Sequence, residues 1–191
     1  MQTDGYAETV SVVVVDDEQD IADLYTTWLS IEYDVRTAYD GDGALDRIDE
    51  EVDVVLLDRQ MPGKSGDEVL DRIDERGIDC RVVMVTAVDP DFDIVEMPFD
   101  DYLTKPVTRE ELEGTVEEML TRTAYDEQIQ EFFAAASKKA TLESERNPAE
   151  LDAHEEYHEV SQRVENLREE ANRSVEEFDD FESVFKEFPS G

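Results

Sequence analysis

Acids, a hydroxyl and a lysine stand at the ends of short apolar runs along this chain. The run from Val52 to Leu57 ends in Asp58, and the turn signal Met61-Pro62-Gly63 follows at once. A second run, Ser11 to Val15, ends in Asp16 and Asp17, a third, Arg81 to Val85, ends in Thr86, and Tyr102-Leu103 leads into Lys105-Pro106. Short β-branched runs bounded by turn residues read as buried strands. Each polar side chain is then delivered to a C-terminal strand tip, where open α/β sheets bind ligands. Three carboxylates converging on one spot repel each other and should not all ionise without a cation. A few hard oxygen ligands with room for water suit Mg²⁺.

The elements that must position these groups follow the hydrophobic period. Asp20 is placed to cap a helix over Ile21 to Ser30, with Ile21, Leu24, Tyr25, Trp28 and Leu29 on one face. Tyr33 to Ala38 reads as a strand, and Gly41 to Glu51 as a polar helix with Ala44, Leu45 and Ile48 inward. Asp67 to Arg76 repeats the pattern with Val69, Leu70 and Ile73, and Gly77 stops it. Strand and helix alternate, which predicts a parallel sheet covered on both faces. Between Val88 and Pro98, two prolines and four acids leave only Phe92, Ile94, Val95 and Met97 to pack, which predicts a truncated or irregular helix. From Thr108, boxed with Glu111, to about Glu145 only Gly114 interrupts a helical pattern. That predicts a helix running on from the sheet-covering face of Val116, Met119 and Leu120 into a stripe of Ile129, Phe132, Phe133, Ala136 and Ala140. Asn147-Pro148 marks a turn into a second helix with the seam Tyr157, Val160, Val164, Leu167, Ala171, Val175 and Phe178. Such a stripe predicts a helical hairpin or coiled coil, with pairing to a second chain to cover what a hairpin leaves open. Phe181, Phe185 and Phe188 fold back on it in this picture.

Five pieces in order, namely Asp16-Asp17, Asp58 with Met61-Pro62-Gly63, Thr86-Ala87, Tyr102 and Lys105-Pro106, resemble a response-regulator receiver domain over roughly residues 10 to 122. The resemblance implies an α/β fold with a five-stranded parallel, doubly wound, flavodoxin-like sheet of order 2-1-3-4-5. It implies that Asp58 is the phosphoacceptor, taking a phosphoryl group from a sensor histidine kinase or phosphotransfer protein. Asp17 and Asp58 would ligate Mg²⁺ directly, Asp16 through water, and the Gln60 backbone carbonyl would complete the protein ligands. Lys105 would neutralise phosphoryl oxygens ahead of a cis bond to Pro106, and Thr86 would hydrogen-bond one of them. Ala87 would leave the group accessible, and Tyr102 would turn inward as Thr86 moves. The C-terminal region resembles, by charge, length and position, the helical HalX module found behind receivers in halophilic archaea. The organisation expected is a loose arm over 1–10, a phospho-receiver over 11–122 and a helical output region over 123–191.

Composition narrows the rest. The chain of 191 residues carries 53 acids against 17 Lys and Arg, a net charge of −36. The acids are spread along the whole length and only five of the bases are lysines, an even coat that predicts a salt-loving host. Cys80 stands alone and at the start of a strand, so it is expected to be a small core residue. His154 and His158 have metal-ligand spacing but no evident third ligand and are expected on a solvated face. No apolar run approaches the ~20 residues of a membrane span, and no secretory leader is visible. The cytoplasm is the expected location. A phosphatase of the haloacid-dehalogenase type needs Asp-x-Asp after its first strand, where this chain has Asp16-Asp17-Glu18-Gln19, and no Gly-rich turn marks a dinucleotide fold. No enzyme is expected, and signalling passes through the helical region by protein contact or homodimerisation. The alternative is a transcription regulator whose C-terminal region binds DNA, against which stands the lack of a basic patch.

Overall fold

The computed structural model describes residues 9–123 and 127–175, with side chains described to Arg122 and from Ile129 to Glu169. Five parallel strands, β1 Ser11–Val15, β2 Asp34–Ala38, β3 Val54–Leu57, β4 Arg81–Thr86 and β5 Asp101–Thr104, form one sheet in the order β2-β1-β3-β4-β5. The helices are α1 Gln19–Leu29, α2 Gly41–Arg47, α3 Gly66–Arg76, α4 Arg109–Thr123, α5 Glu127–Glu145, α6 Pro148–Ala153 and α7 Glu155–Val175. A 3-10 helix, Phe92–Glu96, sits between β4 and β5. The segment foreseen as truncated is thus a single tight turn, because Pro90 and Pro98 leave no room for a longer helix.

Side-chain alternation divides the core into two layers. Val12, Val14, Val54, Leu56, Val83 and Val85 face α1 and α4 on one side. Val13, Val15, Val55, Leu57, Val82 and Met84 face α2, α3 and the 3-10 helix on the other. The three central strands are buried on both faces, as expected of a parallel sheet with helices above and below. Each fully buried Leu or Val contributes about 1.5–3 kcal/mol relative to exposure.

The path of the C-terminal helices corrects the sequence expectation of one helix running on. Leu112, Val116 and Met119 of α4 lie in the first layer, whereas Phe132, Phe133, Ala135 and Leu142 of α5 lie in the second. Helix α5 therefore comes back across the β5 edge and settles against β5 and the 3-10 helix. It covers the part of the sheet that a full-length helix between β4 and β5 would have covered. Residues 124–126, which make the joint, lie outside the described residues.

Helix α7 packs along α5, burying Val160 and Leu167 and half-burying Tyr157 and Val164. The seam is used within the chain as far as it is described. Ala171, Val175, Phe178 and the later phenylalanines fall outside the described side chains, as do residues 1–8 of the arm expected over 1–10.

Smaller details follow from local chemistry. The first helix has Glu18 at its cap, with no side-chain cap bond, and Asp20 already lies in the first turn. The helix begun at Pro148 breaks at His154, whose extended backbone closes α6. Its ring stacks on Phe92 at 3.7 Å between centroids and 9° between planes. His158 instead meets the Asp152 carbonyl oxygen at 3.0 Å. The two rings therefore do not form a metal pair. Cys80 is buried, and burial pushes its thiol up to about 12, so it packs as a core residue.

Lys138, on α5, went unread in the sequence beside Lys139. It is buried, donates to the Met97 carbonyl at 2.6 Å and lies 5.0 Å from the centre of the Phe99 ring. Burial, with Arg163 adding to it, lowers its pKa from 10.5 to about 8, against the weaker pull of Asp100 and Glu96. A base depressed in the folded state costs stability while both states are protonated. That cost disappears as pH rises from the folded value towards the unfolded one. The Lys138→Met variant lacks this group, and the Met97 carbonyl keeps its bond from the Phe99 N–H at 3.0 Å. Between pH 7.5 and 10.5 the wild type is expected to gain about 2–3 kcal/mol relative to that variant, at about 1.4 kcal/mol per unit of pKa shift. Parallel denaturant titrations read the difference, and a constant gap across that range contradicts the buried charge.

Among the described residues no helix is long and apolar enough to cross a membrane.

Candidate functional site

Register brings the strand-tip residues together. Val15 pairs with Leu57 and Leu57 with Met84, so Asp16 and Asp58 leave the sheet side by side with β4 adjacent. The Asp58 N–H donates to the Val15 carbonyl at 2.9 Å and the Asp16 N–H to the Ala38 carbonyl at 3.1 Å, which carries both backbones one step past the ladder. On the other side the Lys105 N–H donates to the Thr86 carbonyl at 2.8 Å, and the Lys105-Pro106 bond is cis.

One carboxylate oxygen from each of Asp16, Asp17 and Asp58 lies within 4.8 Å of the others. Asp16 and Asp58 are buried and Asp17 is half-buried. The Lys105 ammonium reaches in from β5 at 2.5 Å from Asp16 and 3.3 Å from Asp58. Burial alone would lower the Lys105 pKa, but its bond to Asp16 and the charges of Asp16 and Asp58 hold it above its ordinary value. Burial keeps the Asp16 carboxyl above the usual carboxylate range even against the Lys105 bond, and the Asp58 charge adds to it. Three carboxylates face one ammonium, so the site is short of positive charge. An all-oxygen, anionic donor set of this kind fits a hard divalent cation such as Mg²⁺.

The loop after β3 is shaped by two glycines. Gly63 has φ of +80°, the left-handed conformation its turn requires. Gly66 lies so close that a Cβ there would stand 2.1 Å from the Asp58 carbonyl oxygen. Its N–H donates to the Arg59 carbonyl at 2.9 Å, tying the start of α3 to the strand tip. Ser65 and Glu68 box the helix reciprocally. The Gln60 N–H donates to Asp58 Oδ1 at 3.3 Å, so that residue follows the tip of β3 closely.

Thr86 is buried at the tip of β4, and its Oγ1 accepts from the Val88 N–H at 3.3 Å. Tyr102 is also buried, and its hydroxyl donates to the Val88 carbonyl at 2.7 Å. Burial raises its pKa, with Arg59 acting against the shift. Every residue singled out at the strand tips therefore belongs to one cluster or its immediate surround.

Arg59 is the residue that sequence reasoning passed over. Its Nε donates to Asp67 Oδ1 at 3.0 Å, and its fork also holds Asp93 of the 3-10 helix. The guanidinium is largely buried between them, and these bonds raise its pKa although burial acts to lower it. The only signal available was a lone arginine directly after Asp58 in an acid-rich stretch. The cleft over the site is lined by Asp17, Arg59, Gln60, Asp67, Val88 and Asp93, among others.

Comparison with known proteins agrees with this geometry. The family model of the response regulator receiver domain matches residues 12–117, and that of the HalX domain matches residues 121–185. A Haloferax volcanii protein, named as a presumed transcriptional regulator, is 50% identical over 165 residues. The match covers 86% of this chain, and the chain spans only 28% of that protein's length. A CheY-like response regulator receiver domain protein from Methanospirillum hungatei superposes with a TM-score of 0.56 at 26% identity, covering 59% of this chain and 94% of the other. The response regulator TrrA of Thermotoga maritima, in complex with Mg²⁺ and beryllium fluoride, superposes with a TM-score of 0.51 at 31% identity. That likeness covers 58% of this chain and 98% of the other.

Proposed function

Because the chain belongs to the response-regulator receiver family and carries a HalX domain behind the receiver, we propose that it accepts a phosphoryl group on Asp58 and signals through its C-terminal helices. The observation that carries this is the meeting of Asp16, Asp17, Asp58 and Lys105 at adjoining strand tips. A carboxylate oxygen of Asp58 would attack the phosphorus of a phosphohistidine on a sensor kinase or phosphotransfer protein. The P–N bond breaks, the imidazole leaves, and an acyl phosphate forms on Asp58. Lys105 would neutralise the oxygens of the group in transit, and the Thr86 hydroxyl would donate to one of them. Ala87, next along the chain, carries only a methyl group and would leave the phosphoryl group accessible. Mg²⁺, held by Asp17 and Asp58 with Asp16 and the Gln60 carbonyl assisting, would supply the remaining charge neutralisation.

Mass spectrometry after incubation of the full chain with Mg²⁺ and a small phosphodonor is expected to find one phosphoryl group, base-labile and mapping to Asp58. Absence of label in Mg²⁺, or label elsewhere, would sink the assignment.

Output by protein contact is favoured by the charge of the helices. In α5 to α7, Lys138 is buried, and Lys139, Arg146 and Arg163 pair with Glu143, Asp91 and Glu131, which speaks against a basic face for nucleic-acid phosphates on these helices. Control of transcription through direct DNA contact is the second reading, favoured by the name of the Haloferax relative. A mobility shift of the full chain on DNA across a salt series separates the two. Self-association through these helices would compete with a seam in which, among the described residues, Val160 and Leu167 are already buried within one chain. Light scattering before and after phosphorylation reads it.

A further inference from the structure

The 3-10 helix and its flanks, residues 88–101, are gripped from two sides. The receiver holds them by the Tyr102 hydroxyl on the Val88 carbonyl and by Arg59 on Asp93. The helical hairpin holds the same stretch at four points. Arg146 donates to the Pro90 carbonyl at 3.0 Å, and His154 stacks on Phe92. Lys138 donates to the Met97 carbonyl, and Ser137 hydrogen-bonds Asp101. Whatever moves this one turn moves the seat of the hairpin.

Apolar packing of Phe132, Phe133 and Leu142 fills only part of the seat. A cleft of about 810 Å³ opens between the receiver and the hairpin, lined by Ile78, Cys80, Val82, Ala134, Lys138 and Arg163 among others. Polar anchors at the 3-10 helix therefore add to the apolar docking, and such anchors can be exchanged.

Arg59 links this seat to the site, since it follows Asp58 in the chain and lines the same cleft as Asp17 and Asp93. Resting on the assignment of Asp58 as phosphoacceptor, we propose that Arg59 is a latch: unphosphorylated, it clamps the 3-10 helix through Asp93 and keeps the α5–α7 hairpin docked. A phosphoryl group on Asp58 draws Arg59 away and loosens the hairpin. The group brings a charge of about −1.5 to −2 and three strong acceptors towards the cleft that Arg59 lines, and the guanidinium fork suits phosphoryl oxygens. Asp67 and Asp93, its present partners, are each about half exposed, so solvent screens their hold. Arg59 acts through the contact it makes and is a positioning residue.

Amide hydrogen exchange on the full chain in molar KCl with Mg²⁺ tests this, with and without beryllium fluoride and a small phosphodonor. Intact mass reports the phosphoryl content. Peptides within residues 129–169 are expected to exchange about tenfold faster in the phosphorylated or beryllium fluoride state. Arg59→Gln and, separately, Asp93→Asn are expected to raise exchange there without any phosphoryl group and to erase the further increment, at wild-type phosphoryl content. Phosphorylated wild type with unchanged exchange in that stretch overturns the latch and leaves the Asp58 assignment standing. So does an Arg59→Gln variant that keeps the full wild-type increment. A chain that takes up neither phosphoryl group nor beryllium fluoride overturns the Asp58 assignment and the latch together.

Discussion

The Asp58→Ala variant is expected to take up at least about a hundredfold less phosphoryl group than the wild type, since a covalent acceptor has no substitute once its oxygens are gone. The neighbouring acids are poorly placed to take over. One Asp16 oxygen is engaged by Lys105 at 2.5 Å and the other accepts from the Glu18 N–H at 3.0 Å. The same site makes a second, opposite expectation for stability. Three carboxylates against one ammonium leave net repulsion, so the near-isosteric Asp58→Asn removes one negative charge from the cluster. Without Mg²⁺ that variant is expected to be more stable than the wild type by about 1 kcal/mol, the lost Lys105 contact at 3.3 Å offsetting part of the relief. With Mg²⁺ the order should narrow or reverse, because the cation binds the folded wild-type site. Labelling by mass spectrometry and thermal unfolding in chelator and in Mg²⁺ read the two halves. Undiminished label in Asp58→Ala refutes the acceptor role, and a less stable Asp58→Asn in chelator refutes the charge argument.

Residues at strand tips were legible because their signals are local. A β-branched run closed by an acid and a turn fixes where a side chain leaves the sheet, and the parallel register then does the gathering. Asp16, Asp58, Thr86 and Lys105 needed nothing more. The short turn at residues 92–96 was legible for the same reason, from Pro90 and Pro98. The destination of α5 was not. Phe132, Phe133 and Ala136 make a stripe that would serve equally well against a second chain, and only the gap left over β5 by the missing helix decides. Arg59 and Lys138 were opaque because a base in an acid-rich chain reads as solvated. Their burial depends on partners 34 and 41 residues away in sequence, Asp93 and Met97. His154 is exposed as expected, but the break it makes between α6 and α7 and its stacking on Phe92 carry no local signal.

The midpoint of thermal unfolding is expected to rise by more than about 10 °C between millimolar and molar KCl. At about 2–4 °C per kcal/mol for a chain of this size, that corresponds to relief of several kcal/mol of repulsion. The cause is the net charge of −36. Ion pairs such as Arg36 with Asp49 and Glu51, or Arg72 with Glu75, lie at the surface, where each is worth little. With 53 acids to 17 bases, most acids find no cation of the chain to pair with and repel their neighbours. In molar salt the screening length falls to about 3 Å, shorter than the spacing of most such charges, and the repulsion fades. The buried Asp16–Asp58–Lys105 cluster is screened far less, so Mg²⁺ should add a stabilising increment beyond KCl of equal ionic strength. That increment should be lost in Asp58→Asn. Circular dichroism over matched KCl and MgCl₂ series separates the general effect from the specific one. A midpoint flat in KCl would mean that the acidic coat does not govern stability. Equal responses to matched KCl and MgCl₂ would mean that the three carboxylates do not act together as a cation site.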